Sequence, residues 1–142
     1  MKVIGKAVRP IAGRLPLIPA IELADLFGDD PLSVADLLDD IRVYQGNLRI
    51  STGLSLLEGL ETIEELAPHF RIPIRIVHGD KDKITSHLKS VEWINKAGSP
   101  DKSIKIYEGC PHVMYKTART PEEVARIQLL FKDRNEWLLA RV

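Results

Sequence analysis

The apolar residues of this chain keep two different periods, and the change falls near residue 70. Before it the spacing is helical. In DPLSVADLLDD the apolar positions suit a short helix. In TGLSLLEGLETIEELAPHF, Leu54, Leu57, Leu60 (or Ile63) and Leu66 fall on one helical face. Thr52 is placed to cap the start and Pro68 to close the end. No stretch between 20 and 70 reads as a strand, and no internal repeat or low-complexity segment interrupts the chain.

From residue 71 the order is strand, helix, strand, helix. IPIRIVHG, 72–79, carries β-branched residues at Ile72, Ile74, Ile76 and Val77 and breaks at Gly79. Its apolar residues lie on both faces, as in a strand covered by helices on both sides. Ser86 can cap a helix that presents Leu88, Val91 and Ile94, with Gly98 and Pro100 as stop signals. SIKIYEG, 103–109, alternates as a second strand. Thr120-Pro121-Glu122-Glu123 opens the last helix: threonine caps, proline fits the first turn, and Glu123 can complete a capping box. Val124, Ile127, Leu130, Phe131 and Leu138 form its apolar stripe. A strand–helix–strand unit of this length is a right-handed crossover, so the two strands should be parallel neighbours. The fold class expected is α/β.

Composition narrows the function classes. Lys and Arg number 20, as do Asp and Glu, for a formal net charge of zero. No long basic run occurs, so no nucleic-acid partner is expected. The one cysteine, Cys110, excludes an internal disulfide and a Cys-rich zinc site, and fits a reducing, cytoplasmic compartment. The segment MKVIGKAVRPIAGRLPLIPAIELADLFG is interrupted by Lys2, Lys6, Arg9 and Arg14 and by three prolines. It therefore lacks the unbroken apolar core of a signal peptide or membrane span. It reads as an irregular segment packed on its own protein, with a peripheral contact to a membrane surface left open.

Ligands of open α/β sheets gather at the carboxyl ends of the strands. The loop after the first strand offers Asp80 and Asp82; the loop after the second, GCPHVMYK, offers Cys110 and His112. A carboxylate bonded to one imidazole nitrogen fixes the tautomer, and the other nitrogen can then take a proton from a hydroxyl. An acid followed by a histidine on consecutive strand ends is the chain order of α/β-hydrolases, in which a serine precedes both. Read alone, Asp82 would be a turn cap and His112 an ordinary loop histidine. His78 reads as structural, and His69 and His87 show no partner in sequence. The string His78-x-Asp80-x-Asp82 turns at Gly79 and continues into no calcium-loop pattern, so no metal or cofactor is expected. Cys110 and His112 are too close in one loop to meet as nucleophile and base, and Cys110 reads as a packing residue.

The motifs together resemble the C-terminal part of monoacylglycerol-lipase-like α/β-hydrolases, a group that includes lysophospholipases and serine aminopeptidases. The family's strand-H-G-x-x-D pattern falls on IPIRIVHGDKD and implies Asp82 as the acid. Its Y-E-G-x-x-H pattern falls on YEGCPH, 107–112, and implies His112 as the base. VYQGNLRISTGLSLL, 43–57, resembles the family's helical cap. The resemblance implies a partial α/β-hydrolase fold: a cap over 1–70, then over 71–142 the last two parallel strands with their helices. It also implies that Leu54, Leu57 and Leu60 partly face an acyl substrate.

The sequence departs from the family at the nucleophile. It contains no G-x-S-x-G; the nearest string, GLSLL at 53–57, lacks the second glycine and lies in the expected cap helix. Losing a nucleophile or an oxyanion donor costs on the order of 3 kcal/mol or more of transition-state stabilisation. The expectation is a portion of a serine hydrolase of lipid esters that is inactive alone. The alternative is a non-catalytic remnant binding a lipid or a protein. An unpaired edge on the first strand is expected to promote self-association.

Overall fold

In the computed structural model, residues 9–28 and 30–142 are described; Lys2 and Lys6 of the cationic segment lie outside them. Among the described residues the elements are α1 (Leu23–Phe27), α2 (Pro31–Asp39), α3 (Ile50–Leu66), a 3-10 turn (Ala67–His69), β1 (Ile74–Gly79), α4 (His87–Lys96), β2 (Lys102–Tyr107) and α5 (Pro121–Leu139). The strands pair in parallel, in register from Ile74 opposite Lys102 to Gly79 opposite Tyr107. This is the α/β crossover read from the sequence.

Side chains alternate across this ribbon as strand geometry requires. On one face His78 reaches Ser90 of α4. On the other, Val77 packs against the buried cluster of Tyr107, Cys110 and Leu130, the last from α5. Tyr107 donates its hydroxyl to Asp133 of α5 at 2.6 Å, and Lys105 pairs with the same carboxylate. The helix starts follow their caps. Ser86 accepts from the Lys89 N–H, and Thr120 and Glu123 form the reciprocal capping box.

Three expectations need correction. β1 begins at Ile74, not Ile72, because Pro73 has no N–H to give a ladder; the first bond runs from the Ile74 N–H to Asp101 O at 2.9 Å. α3 begins at Ile50, so Thr52 lies inside it and caps nothing. Its first N–H groups are satisfied instead by backbone: Ile50 donates to Leu15 O at 3.1 Å and Ser51 to Gly13 O at 2.9 Å, beside an antiparallel bridge between Ile18 and Leu48. The α5 stripe is only partly covered. Leu130 is buried, whereas Val124, Phe131 and Leu138 are exposed. Two strands about 4.8 Å apart form too narrow a surface to bury a helix of 19 residues along its length.

Candidate active site

Two loops meet at the carboxyl ends of β1 and β2, and a glycine lets them do so. A Cβ on Gly79 would lie 2.1 Å from Cys110 O and 2.8 Å from Pro111 O, so only glycine admits the second loop across the end of β1. Gly109 turns that loop with φ +69°, in the left-handed region. Backbone bonds then lace the loops together: Asp80 N–H to Tyr107 O at 3.1 Å and Lys81 N–H to Cys110 O at 3.0 Å. Asp80 spends its carboxylate on the Gly109 N–H at 2.7 Å, which makes it a brace of the second loop. Val113 N–H donates to Leu26 O at 2.8 Å and ties the His112 loop to α1.

This scaffold brings Asp82 and His112 together across 30 positions of sequence: His112 Nδ1 lies 2.8 Å from Asp82 Oδ2. The Asp82 side chain is 3% exposed and that of His112 34%. The carboxylate is held on both oxygens. Oδ1 accepts the backbone N–H groups of Ile84 and Thr85, each at 2.8 Å; Oδ2 also accepts the Thr85 hydroxyl at 2.7 Å. Burial alone would push this carboxyl up. The Thr85 N–H, the His112 ring, the Thr85 hydroxyl and the Ile84 N–H outweigh burial and hold it well below the usual carboxylate range. Asp82 is therefore an anion at neutral pH and an acceptor only. A neutral His112 therefore presents its proton at Nδ1 and keeps the lone pair on Nε2, and Nε2 has no hydrogen-bond partner among the described residues. A carboxylate-oriented imidazole with a free basic nitrogen can relay a proton.

Sequence reasoning did not name one contact: His78, expected to be structural, has its Nε2 2.8 Å from the same Asp82 Oδ2. The four-residue spacing across the Gly79 turn was the available signal. Cys110 is buried, and burial raises its thiol pKa, so the thiolate is disfavoured there. Among the described residues no group of three or more His, Cys, Asp or Glu side chains could hold a metal ion. Nor is any helix there long and apolar enough to cross a membrane. Leu57 and Leu60 are exposed and Leu54 is half-buried on α3. Of the three, Leu60 alone lines a cavity of 680 Å³, with Ile63, Ile76, His78, Ile84 and Trp93 among others; Leu54 and Leu57 do not.

A parallel strand pair that delivers an acid and then a histidine at its carboxyl end defines part of an α/β-hydrolase. The chain belongs to the serine aminopeptidase, S33, family, whose model matches residues 1–117. It is similar to the caffeoylshikimate esterase of Arabidopsis thaliana, with 33% identity over 113 residues, 80% of this chain and 33% of that protein. It is similar to the monoglyceride lipase of Homo sapiens, with 26% identity over 117 residues, 82% of this chain and 34% of that one. The monoacylglycerol lipase of Mycolicibacterium smegmatis is 28% identical over 138 residues, covering 96% of this chain and 47% of that protein. The crystal structure of Paleococcus ferrophilus monoacylglycerol lipase matches with a TM-score of 0.80 at 21% identity, over 99% of this chain and 51% of that one. The chain thus spans between a third and about half the length of these relatives.

Proposed function

We propose that this chain supplies the acid and base of a serine hydrolase acting on a lipid ester of the acylglycerol type. His112 is the proton relay and Asp82 the residue that orients it and stabilises its protonated form. The observation that carries the reading is the 2.8 Å bond from His112 Nδ1 to a nearly buried Asp82 carboxylate, with Nε2 left open. The substrate class is drawn from the monoglyceride and monoacylglycerol lipases among the similar proteins. The serine hydroxyl would attack the ester carbonyl, and its proton would pass to His112 Nε2. The sequence itself contains no G-x-S-x-G, so the nucleophile has to come from outside these residues.

In this reading residues 1–70 are the cap and 71–142 the C-terminal part of the hydrolase core. Leu54, Leu57 and Leu60 supply apolar wall to an acyl chain, an assignment supported by Leu60, which lines the 680 Å³ cavity, and by the exposure of Leu57. Contact with a membrane surface through the cap fits the same apolar exposure.

The test is reconstitution. The chain is joined to the portion of the Mycolicibacterium smegmatis monoacylglycerol lipase that it does not match, and monoacylglycerol hydrolysis is measured. The expected result is activity that falls at least a hundredfold on His112→Gln or Asp82→Asn. A folded, active chimaera indifferent to both changes would overturn the assignment.

A further inference from the structure

Asp82 Oδ2 is shared by two imidazoles, and the second one, His78, is itself anchored. The His78 side chain is 11% exposed on the α4-facing side of β1. Its Nε2 lies 2.8 Å from Asp82 Oδ2, and its Nδ1 lies 2.8 Å from Ser90 Oγ. An ionised carboxylate offers lone pairs only, so a neutral His78 carries its proton on Nε2. Its Nδ1 is then a lone pair, and Ser90 must donate its hydroxyl to it. Three donors converge on one oxygen: His78 N–H, His112 N–H and the Thr85 hydroxyl. Thr85 Oγ1 also lies 3.3 Å from His78 Nε2, so the donors crowd one another around the shared acceptor. The other titratable groups around His78 are His87 of α4, edge-on at 6.3 Å between ring centres, and Glu64 and Lys89 along the same cavity.

We propose that His78, fixed by Ser90, is a positioning residue for His112: it holds Asp82 Oδ2 where His112 Nδ1 meets it and takes up part of the carboxylate's charge. Three consequences follow from the geometry. His112 is held in one orientation because the oxygen facing it cannot swing away. The chain of donors runs one way, Ser90 to His78 to Asp82, so each proton position is determined by the next. And α4, which carries Ser90, becomes mechanically coupled to the loop that carries His112. The Ser90–His78–Asp82 order also has the connectivity of a nucleophilic triad. Ser90, however, sits one turn inside α4, with its N–H bonded to Ser86 O at 3.2 Å and its hydroxyl committed to His78. Anchoring is the role this placement supports.

The functional meaning of the inference rests on the acid–base reading of Asp82 and His112, but its test does not. Long-range proton–nitrogen NMR of the 15N-labelled chain at pH 8 reads each imidazole's tautomer without substrate. The expected result is a single Nε2–H form for His78 and a single Nδ1–H form for His112. In His78→Leu, the His112 imidazole N–H should exchange at least tenfold faster, because the shared oxygen loses the donor that holds it from the far side. His78→Gln should restore slow exchange, because its amide N–H reaches the same point. Ser90→Ala should leave His78 on Nε2–H but loosen its ring, speeding exchange of both imidazole N–H protons in an otherwise intact fold, and it decides the question if the leucine variant does not fold. A proton on Nδ1 of His78 in the unaltered chain would overturn the proposal. So would a His112 N–H exchange rate indifferent to both His78→Leu and Ser90→Ala. An inactive reconstituted hydrolase with the expected tautomers would count against the catalytic reading and leave this inference standing.

Discussion

In the strand-bearing region Ile94, Ala97, Tyr107, Cys110 and Leu130 are buried, whereas among the described residues between 9 and 66 the buried ones are Gly13 and Ser33. Both regions are rich in apolar residues. In the helical one, Ile21, Leu32, Leu38, Leu57, Leu60 and Ile63 stand exposed. That region is held instead by polar ties to its neighbour. Asp30, the N-cap of α2, and Glu123 of α5 clasp Lys116 between them. Arg119 pairs with Asp36, Lys83 with Asp25, and the Trp93 indole donates to Ile63 O at 3.0 Å. The contrast separates two sources of order. Burial holds the strands beneath the loops that carry Asp82 and His112, and backbone bonds lace those loops together; the helical region has directional bonds without the buried core. Substitutions should therefore act very differently in the two places.

The largest effect is expected at Asp82. Asp82→Ala leaves the donors of His78, His112, Ile84 and Thr85 without their acceptor in a nearly solvent-free spot. The expected loss of stability is about 4 kcal/mol, the range for removing one partner of a buried charged cluster. Urea unfolding followed by tryptophan fluorescence measures it. The pH dependence carries the same sign. A carboxyl held below its unfolded value stabilises the fold above about pH 4 and loses that contribution as pH falls further. Acid unfolding of Asp82→Asn should therefore be less steep below pH 4 than that of the unaltered chain.

Gly79→Ala comes next. The added Cβ meets backbone oxygens of residues 110 and 111, which cannot rotate aside as a side chain would. An expected cost of about 3 kcal/mol reflects forced separation of the two loops. The diagnostic is loss of slow amide exchange at Lys81, whose N–H bonds Cys110 O. An exchange rate unchanged at Lys81 would mean that the loops do not depend on this close approach.

Much of this was legible in sequence, for a physical reason. The parallel strand pair and the Ser86 and Thr120 caps rest on short-range patterns: strand period, capping spacing, and a glycine at each strand end. Those patterns bring the two loops together, but the choice of Asp82 and His112 within them came from the family resemblance. The start of α3 was not legible, because its N–H groups are satisfied by residues 13 and 15, some 36 positions upstream. A propensity reading looks for a capping side chain and finds Thr52. The role of His78 was hidden for the opposite reason. Its partner lies only four residues away, but alternation along a strand gives no hint that Gly79 folds the chain back so that Asp82 meets the ring. Partial exposure of the α5 stripe could not be read at all, since the pattern specifies an apolar face and not the width of the surface that covers it.

Lys116→Met tests the polar ties. Burial alone would lower the Lys116 pKa, but its bonds to Asp30 and Glu123 raise it instead, so the charge is retained. Replacing it leaves two carboxylates beside an apolar side chain. The expected cost is about 2 kcal/mol, below the full value for a buried pair because both carboxylates keep some access to water. The comparison predicts where the loss appears: faster hydrogen exchange in α2, with α4 and β2 unchanged. Uniform acceleration across the chain would mean that the two regions unfold as one unit.

The smallest effect is expected at Leu60. As a core residue of α3, Leu60→Ser would cost 2 kcal/mol or more by lost burial, on the order of other large-to-small core changes. Leu60 is 60% exposed, so little transfer energy is at stake, and the expected change lies within about 0.5 kcal/mol. Equilibrium unfolding of Leu60→Ser, with Leu57→Ser as a companion, separates the two cases. A near-neutral result leaves Leu60 free to be apolar wall of the cavity it lines, and in the reconstituted hydrolase Leu60→Ser should raise KM for a long-chain ester more than for a short one. A cost of 2 kcal/mol would show that the helical region buries its apolar face in solution, through self-association of the chain. Sedimentation across a tenfold range of concentration would then reveal a mass that rises with concentration and falls back in the serine variants.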